Sequence, residues 1–397
     1  MIRRLLAGIL VLGLVFLAFD YASAPVFWQR FLASLSASGT GAYSEVFDVQ
    51  ERVAGNPGSF TLPVATAENR SLDETGVADL IAYAEYYESF SLIVIHKGEV
   101  QLEWYREGYD AAKLTQSQSM HKSLQALLVG IMMSEGLIES VDDPIGAYLD
   151  ELAADARGEI TIRQLLRMTS GLRNFQASFN PWGDAFRWLY STDTRSATLS
   201  FPQASPAGES FDYNDLNAQL LGLLLTEVSG KRYAQLLSEK LWRPLGNDDA
   251  RVWLDREGGT AMHACCLLAT SRDWARLGLM LLENGTAQGR QVVPEAWIAS
   301  ATSPSDLTPH YGYQIWLANN TLPNPRTTGY QRREDWLADD VFYFSGYGAQ
   351  RVIISREKNL VIVRLGPAAG YFPKIIKEWD NAYLFNRAVR SIESIGQ

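Results

Sequence analysis

The chain has 397 residues, 47% hydrophobic and 20% charged, with a formal net charge of −10. That composition is globular rather than disordered, with room for one large domain or two small ones. The acidic balance, without a long run of one sign, excludes nucleic acid as the main partner, because phosphate binding needs clustered Lys and Arg.

The basic start, Met1 to Arg4, leads into an uninterrupted apolar run at residues 5–19. This is the pattern of an export signal or a membrane anchor. As a helix the run spans about 22 Å, short of a bilayer core of about 30 Å, which favours a cleaved signal. The cleavage-like site Ala22-Ser23-Ala24 is followed by Pro25, however, and proline suits an extended protease substrate badly. Residues 1–28 are therefore expected to be an uncleaved anchor in the inner membrane. Tyr21, Phe27 and Trp28 would lie at the interface, Arg3 and Arg4 on the cytoplasmic side, and the rest would be exported. If the segment is cleaved, the protein is secreted. Residues 29–70, rich in Ser, Gly, Ala and Pro, read as a linker and an arm packing on the domain.

The patterning tightens in residues 71–397. Helices are expected at 77–88, from 119 onward, at 160–171, and twice between 209 and 246 with Gly230 between them. Two more are expected at 271–285 and 375–392. Residues 90–108 predict a hairpin turned at Lys97-Gly98, and strands return at 340–355 and 359–366. Residues 174–210 are aromatic and loop-rich, with Trp182, Trp188 and Tyr190. Strands at both chain ends with helices between them predict an α/β (α+β) domain: one sheet from both ends, flanked by helices, plus a helical lobe.

Ser119 stands three residues before Lys122, where a long apolar run begins. Leu124, Leu127, Leu128 and Ile131 recur at helical spacing and predict one buried face. Ser119 then lies at the positive end of the helix, with Lys122 one turn on. A serine N-cap with a solvated lysine is the alternative. A second Ser-x-x-Lys, Ser355 to Lys358, lies between two strand-like runs and reads as a hairpin turn. Cys265 and Cys266 are adjacent, so no stapling disulfide is expected, and they have no neighbours at zinc spacing. His121 reads as a filler position with some chance of touching substrate.

The segments containing Ser119-Met120-His121-Lys122, residues 123–152 and "ITIRQLLRMTSGL" resemble the serine β-lactamase-related hydrolases: class C β-lactamases, esterases and 6-aminohexanoate-dimer hydrolases. The resemblance covers residues 75–370. It implies a β-lactamase/penicillin-binding-protein-like fold with an antiparallel sheet. Tyr213 takes the family's tyrosine position in Tyr-x-Asn, with Asp215 in place of Asn. Phe344-Ser345-Gly346 takes the place of Lys-Thr-Gly, without the basic residue. Cys265-Cys266 replaces a usual Gly-Gly pair. These departures count against β-lactam hydrolysis.

The resemblance implies an acyl-enzyme at Ser119, with Lys122 and Tyr213 handling the proton. The oxyanion would be held by the backbone N–H groups of Ser119 and Tyr347, beside Gly346. If Asp215 lies near Lys122, the lysine stays charged and Tyr213 is the better base. Bland readings stand beside these. Tyr213 could be a packed aromatic, Asp215 a helix N-cap, Gly346 a bulge glycine and the cysteines small packed residues. Phe344 cannot pair with a substrate carboxylate, and Arg351 is a candidate to replace the missing cation. The expected substrate is a small ester or amide, with the tryptophans of 174–210 walling its pocket and no metal or organic cofactor implied. The rivals are a β-lactamase or D-Ala-D-Ala carboxypeptidase-like enzyme and a non-catalytic binding protein on the same fold.

Overall fold

The computed structural model describes residues 2–37, 46, 48–175, 180–321, 333–367 and 378–395, with side chains from residue 10 onward. It opens with helices α1 (Ile2–Ser23) and α2 (Pro25–Ala37), then strand β1 (Gln50–Val53) and helix α3 (Glu74–Tyr86). The hairpin of β2 (Ser91–His96) and β3 (Glu99–Tyr105) follows, then β4 (Thr115–Gln116) and α4 (Met120–Ser134). The middle of the chain is helical: α5 (Ile162–Leu166), α6 (Asp184–Leu189), α7 (Thr194–Leu199), α8 (Asp215–Ser229) and α9 (Tyr233–Leu237). Next come β5 (Ala250–Trp253), β6 (Leu267–Ala269), α10 (Ser271–Leu282), a small hairpin of β7 (Thr286–Ala287) and β8 (Arg290–Gln291), and α11 (Glu295–Ala301). The last elements are β9 (Trp316–Leu317), β10 (Phe342–Gly346), β11 (Gln350–Ser355), β12 (Leu360–Leu365) and α12 (Asn381–Ile395).

The main sheet has six strands in the order β3-β2-β12-β11-β10-β9. Every pairing in it is antiparallel. Strands from both chain ends meet where Ile362 faces Val94. Successive side chains of a strand point to opposite faces. Ile93, Ile95, Val352, Ile354, Val361 and Val363 therefore join a core with α4, α8 and α10. Leu92, Val94, Ile353, Leu360 and Ile362 join a second core with Leu80 of α3 and Phe385 and Val389 of α12. Both faces are covered, which explains the unbroken apolar runs of β2, β11 and β12. The turn at Lys97-Gly98 has positive φ at both residues, the geometry a two-residue hairpin needs. Ser355 and Lys358 lie at the β11–β12 turn, as their sequence context predicts.

Helix α4 is buried on all sides from Met120 to Met132, not on one face as its spacing suggested, because α8, α11 and β10 surround it. A second sheet, β1-β5-β6-β4, brings two distant segments together. Thr115 pairs with Ala269 and Gln116 with Leu268, and the Ser117 amide donates to Leu267 O at 2.9 Å. The turn before α4 thus lies beside Cys265-Cys266.

The N-terminal region differs from the expectation. Residues 25–37, assigned partly to a linker, form α2, and Phe27, Trp28 and Phe31 are buried against the domain instead of lining an interfacial belt. Phe31 meets Phe186 edge-on, and Phe27 and Phe186 lie against Tyr190. Trp28, Trp182 and Arg187 all donate to the Asp20 carboxylate. No single helix among the described residues is long and apolar enough to cross a membrane; α1 and α2 pass that test only as a pair bent by 104°. Residues 38–45 and 47 of the expected linker and arm, residues 176–179 of the aromatic segment and residues 375–377 of the expected last helix lie outside the described residues.

Candidate active site

The site forms where three elements converge on the start of α4. Gln118 has φ of 49°, a sparsely populated conformation for a residue with a side chain. It turns the chain sharply out of β4 and sets Ser119 at the helix entrance. The Ser119 side chain makes no capping hydrogen bond, so the N-cap alternative does not describe it. Instead Lys122 Nζ donates to Ser119 Oγ at 2.9 Å.

Lys122 is almost completely buried, so the solvated-lysine alternative does not hold either. Its ammonium also donates to Ala264 O at 2.6 Å and lies 2.7 Å from Asp215 Oδ1. An ammonium has three N–H donors and no acceptor, and each has a partner. Tyr213 approaches the same group, its ring centroid 5.2 Å from Nζ. Burial alone pulls the lysine down. The Asp215 carboxylate and then the Tyr213 phenol outweigh it, and the Lys122 pKa lies above the ordinary lysine value.

Asp215 is free for this role because Asn214, not Asp215, caps α8. The Asn214 side chain accepts from the Leu216 amide at 3.0 Å and donates to Leu172 O at 3.1 Å. Asp215 becomes the first helical residue, with its carboxylate turned to Lys122 and 40% of its side chain exposed. Replacing Asp215 by asparagine is expected to move the alkaline limb of the pH–rate profile to lower pH. The sign follows from the charges. Removing the main raising influence leaves burial less opposed, so the ammonium gives up its proton sooner as pH rises. A profile of kcat/KM for a small ester checks this, and an unmoved limb would contradict it.

Strand β10 closes the third side. A methyl group on Gly346 would lie 2.4 Å from Ser117 O and 3.1 Å from Gln118 Cβ. This is a close approach of strand to turn that only glycine permits, rather than a simple bulge. Residues Tyr347 to Ala349 then turn the chain into β11. Two side chains unforeseen in the sequence pin that turn. Gln350 Nε2 donates to Tyr347 O at 3.1 Å and to Gly366 O at 2.8 Å, and the buried Arg364 donates to Gly348 O and Ala349 O. Tyr347 itself is 45% exposed.

Several expected site residues lie elsewhere. Phe344 is completely buried in the main core, on the strand face opposite to that of the partly exposed Ser345. Arg351 does not stand in for the missing cation. It is buried and donates to Gly346 O, Gln350 O and Asn381 Oδ1. Trp188 is buried on Phe175 and donates to Thr198 Oγ1, while Trp182 packs on Trp28. The aromatic wall beside Tyr213 comes instead from Trp316, at 5.5 Å between ring centroids, and Tyr311, at 6.2 Å. The cluster of rings in "HYGYQIW" from His310 was the available signal. Cys265 and Cys266 form a disulfide, against expectation, with Cys266 at φ of 82°. That conformation is one that glycine adopts readily, consistent with the glycine pair usual there. No group of three or more His, Cys, Asp or Glu able to hold a metal occurs among the described residues.

A serine at a buried helix start, touched by a lysine one turn on and faced by the end of an antiparallel strand, is the arrangement expected of the serine β-lactamase-related hydrolase family with its β-lactamase/penicillin-binding-protein-like fold. The chain belongs to the β-lactamase family, whose sequence model matches residues 77–371. It is 27% identical over 288 residues to the 6-aminohexanoate-dimer hydrolase of Paenarthrobacter ureafaciens, covering 66% of this chain and 73% of that protein. A Bacillus anthracis structure provisionally described as a 6-aminohexanoate-dimer hydrolase superposes with a TM-score of 0.71 at 19% identity, covering 91% of this chain and 94% of its own. A penicillin-binding protein homologue from Caulobacter crescentus gives 0.58 at 18% identity, covering 81% and 96%.

Proposed function

We propose that this protein is an exported serine hydrolase that opens an ester or amide bond through an acyl-enzyme on Ser119. The observation that carries the reading is the Lys122 ammonium, directed at Ser119 Oγ with its other donors held by Ala264 O and Asp215. A group so held stabilises a developing alkoxide but has no lone pair to receive the serine proton. Tyr213, acting as its phenolate, therefore takes that proton and, as the phenol, returns it to the leaving group. Ser119 Oγ attacks the carbonyl carbon, and the oxyanion forms against the Ser119 and Tyr347 amides. Water then releases the acid.

A small, uncharged or zwitterionic ester or linear amide is favoured over a penicillin. Phe344, at the family's basic position, is an apolar side chain buried in the core that cannot pair with a β-lactam carboxylate, and Arg351 is engaged with backbone carbonyls. The Paenarthrobacter relative is named for a 6-aminohexanoate dimer, which points the same way, to an amide. Export and membrane attachment through residues 1–28 are supported by the exposed apolar side chains of α1, Leu10 to Phe19 among them.

The test is a substrate panel on the full chain in detergent: p-nitrophenyl acetate and butyrate, 6-aminohexanoate dimer, a chromogenic cephalosporin, and a fluorophosphonate label. Labelling on Ser119 with ester or dimer turnover, and little cephalosporin hydrolysis, is expected. Preferential cephalosporin turnover would favour the penicillin-recognising alternative. A folded chain that neither labels nor turns over any of these would favour a binding protein.

A further inference from the structure

His121 sits between Ser119 and Lys122 in sequence, yet it is completely buried. Each ring nitrogen has a partner. Nδ1 lies 2.7 Å from Cys265 O, and Nε2 lies 2.8 Å from the Tyr233 hydroxyl. A carbonyl only accepts, so Nδ1 carries the proton and donates. Nε2 is then the acceptor, and Tyr233 donates to it. Gln125 Nε2 donates to the same hydroxyl at 2.8 Å, so every direction in the chain is set. Burial pulls His121 down to about 4, which keeps the ring neutral as this pattern requires.

The chain of donors ends on backbone. Residues 261–266 run into β6 without a regular ladder, and buried carbonyls must find partners somewhere. Gln219 donates to Ala261 O, Gln125 to His263 O, Lys122 to Ala264 O and His121 to Cys265 O. Two adjacent residues of α4 thus grip two adjacent carbonyls. The position of Ala264 O helps to set where the Lys122 ammonium rests, because it accepts from Nζ at 2.6 Å beside the contacts to Ser119 Oγ and Asp215.

We propose that His121 is a positioning residue. By fixing the Cys265 carbonyl, with Tyr233 and Gln125 behind it, it keeps the neighbouring Ala264 carbonyl on Lys122 and the ammonium on Ser119. The proposal rests on the serine-hydrolase reading above. Asp215 and Tyr213 face Lys122; Lys122, Tyr233 and His263 face His121, and burial keeps His263 neutral. If His121 is lost, Ala264 O is released and the ammonium loses an acceptor. Burial then weighs more, and Lys122 deprotonates at lower pH.

The experiment follows ester turnover and fluorophosphonate labelling of the full chain against pH. His121→Phe keeps a ring but removes both hydrogen bonds. It is expected to lower kcat by about 10- to 100-fold, the scale of a small misplacement at the reacting atoms. KM should stay nearly constant and the alkaline limb should move to lower pH. His121→Asn, which keeps a donor for Cys265 O, should recover part of both changes. Tyr233→Phe should shift the limb the same way by less, and it decides the matter if His121→Phe does not fold. A folded variant with wild-type kcat and an unmoved limb overturns the proposal, even if its melting temperature falls. If the wild type labels on Ser119 and the limbs stay put, this proposal alone fails; if the wild type does not label, the serine-hydrolase reading fails and takes this one with it.

Discussion

Ser119→Ala and Lys122→Met are each expected to lower kcat/KM for the best ester of the panel by at least about 1,000-fold, and the double variant to be no slower than the slower single one. The two side chains meet at one contact, Nζ to Oγ at 2.9 Å. Without the hydroxyl the ammonium has no alkoxide to stabilise. Without the ammonium the hydroxyl keeps its position at the helix start but loses the charge that favours its ionised form. Residues acting as one unit show losses that do not add. The fold should survive both changes. Removing one member of a fully buried ion pair typically costs about 3–5 kcal/mol. Here Asp215 keeps 40% of its side chain exposed, so water can replace the ammonium and the cost is smaller. Steady-state rates for the four proteins, with thermal melts as a folding control, check this. If the losses of the two single variants multiply in the double, Ser119 and Lys122 do not work as a pair.

Much of the frame was legible because it depends on local pattern. The apolar runs of β2, β11 and β12 lack alternation, and a strand covered on both faces has none to show. The Lys97-Gly98 turn announced its own conformation. Ser119, Lys122 and Tyr213 were legible from motif order, and the structure brings Ser119 and Tyr213 to the Lys122 ammonium. What escaped depends on partners far along the chain. Helix α2 was read partly as anchor and partly as linker because the rings that bury Phe27 and Phe31 lie beyond residue 180. Phe344 and Arg351 were placed near substrate because a strand's sequence does not say which face the site uses. The register settles it: Phe344 enters the core, and Arg351 turns back on its own hairpin and toward Asn381. Asp215 was weighed as a cap because cap propensity alone does not separate it from its neighbour. Asn214 has the extended backbone of the capping position, φ −136° and ψ 126°.

Gly346→Ala is expected to lower kcat by about 100- to 1,000-fold while leaving KM little changed and the fold intact. The added methyl would meet Ser117 O at 2.4 Å and Gln350 Cβ at 2.9 Å. The first is backbone and cannot swing aside, so either β10 or the Ser117–Gln118 turn must shift. Both candidate oxyanion donors, the Ser119 and Tyr347 amides, are carried on the parts that would move. Losing one such donor typically costs about 100- to 1,000-fold in rate. The turn has little room to adjust, since Gln118 already sits at φ of 49° and the following loop is held by Gln350 and Arg364. Gly98→Ala supplies the comparison. Gly98 has φ of 80° and nothing within 4 Å of an added methyl, so alanine there costs roughly 1–2 kcal/mol of backbone strain and no rate. The two variants should therefore lose stability without matching losses of activity. Rates and melts measured side by side decide it: if Gly346→Ala keeps its rate, β10 does not carry an oxyanion donor. A rate that falls only in step with the melting temperature would make Gly346 a packing residue.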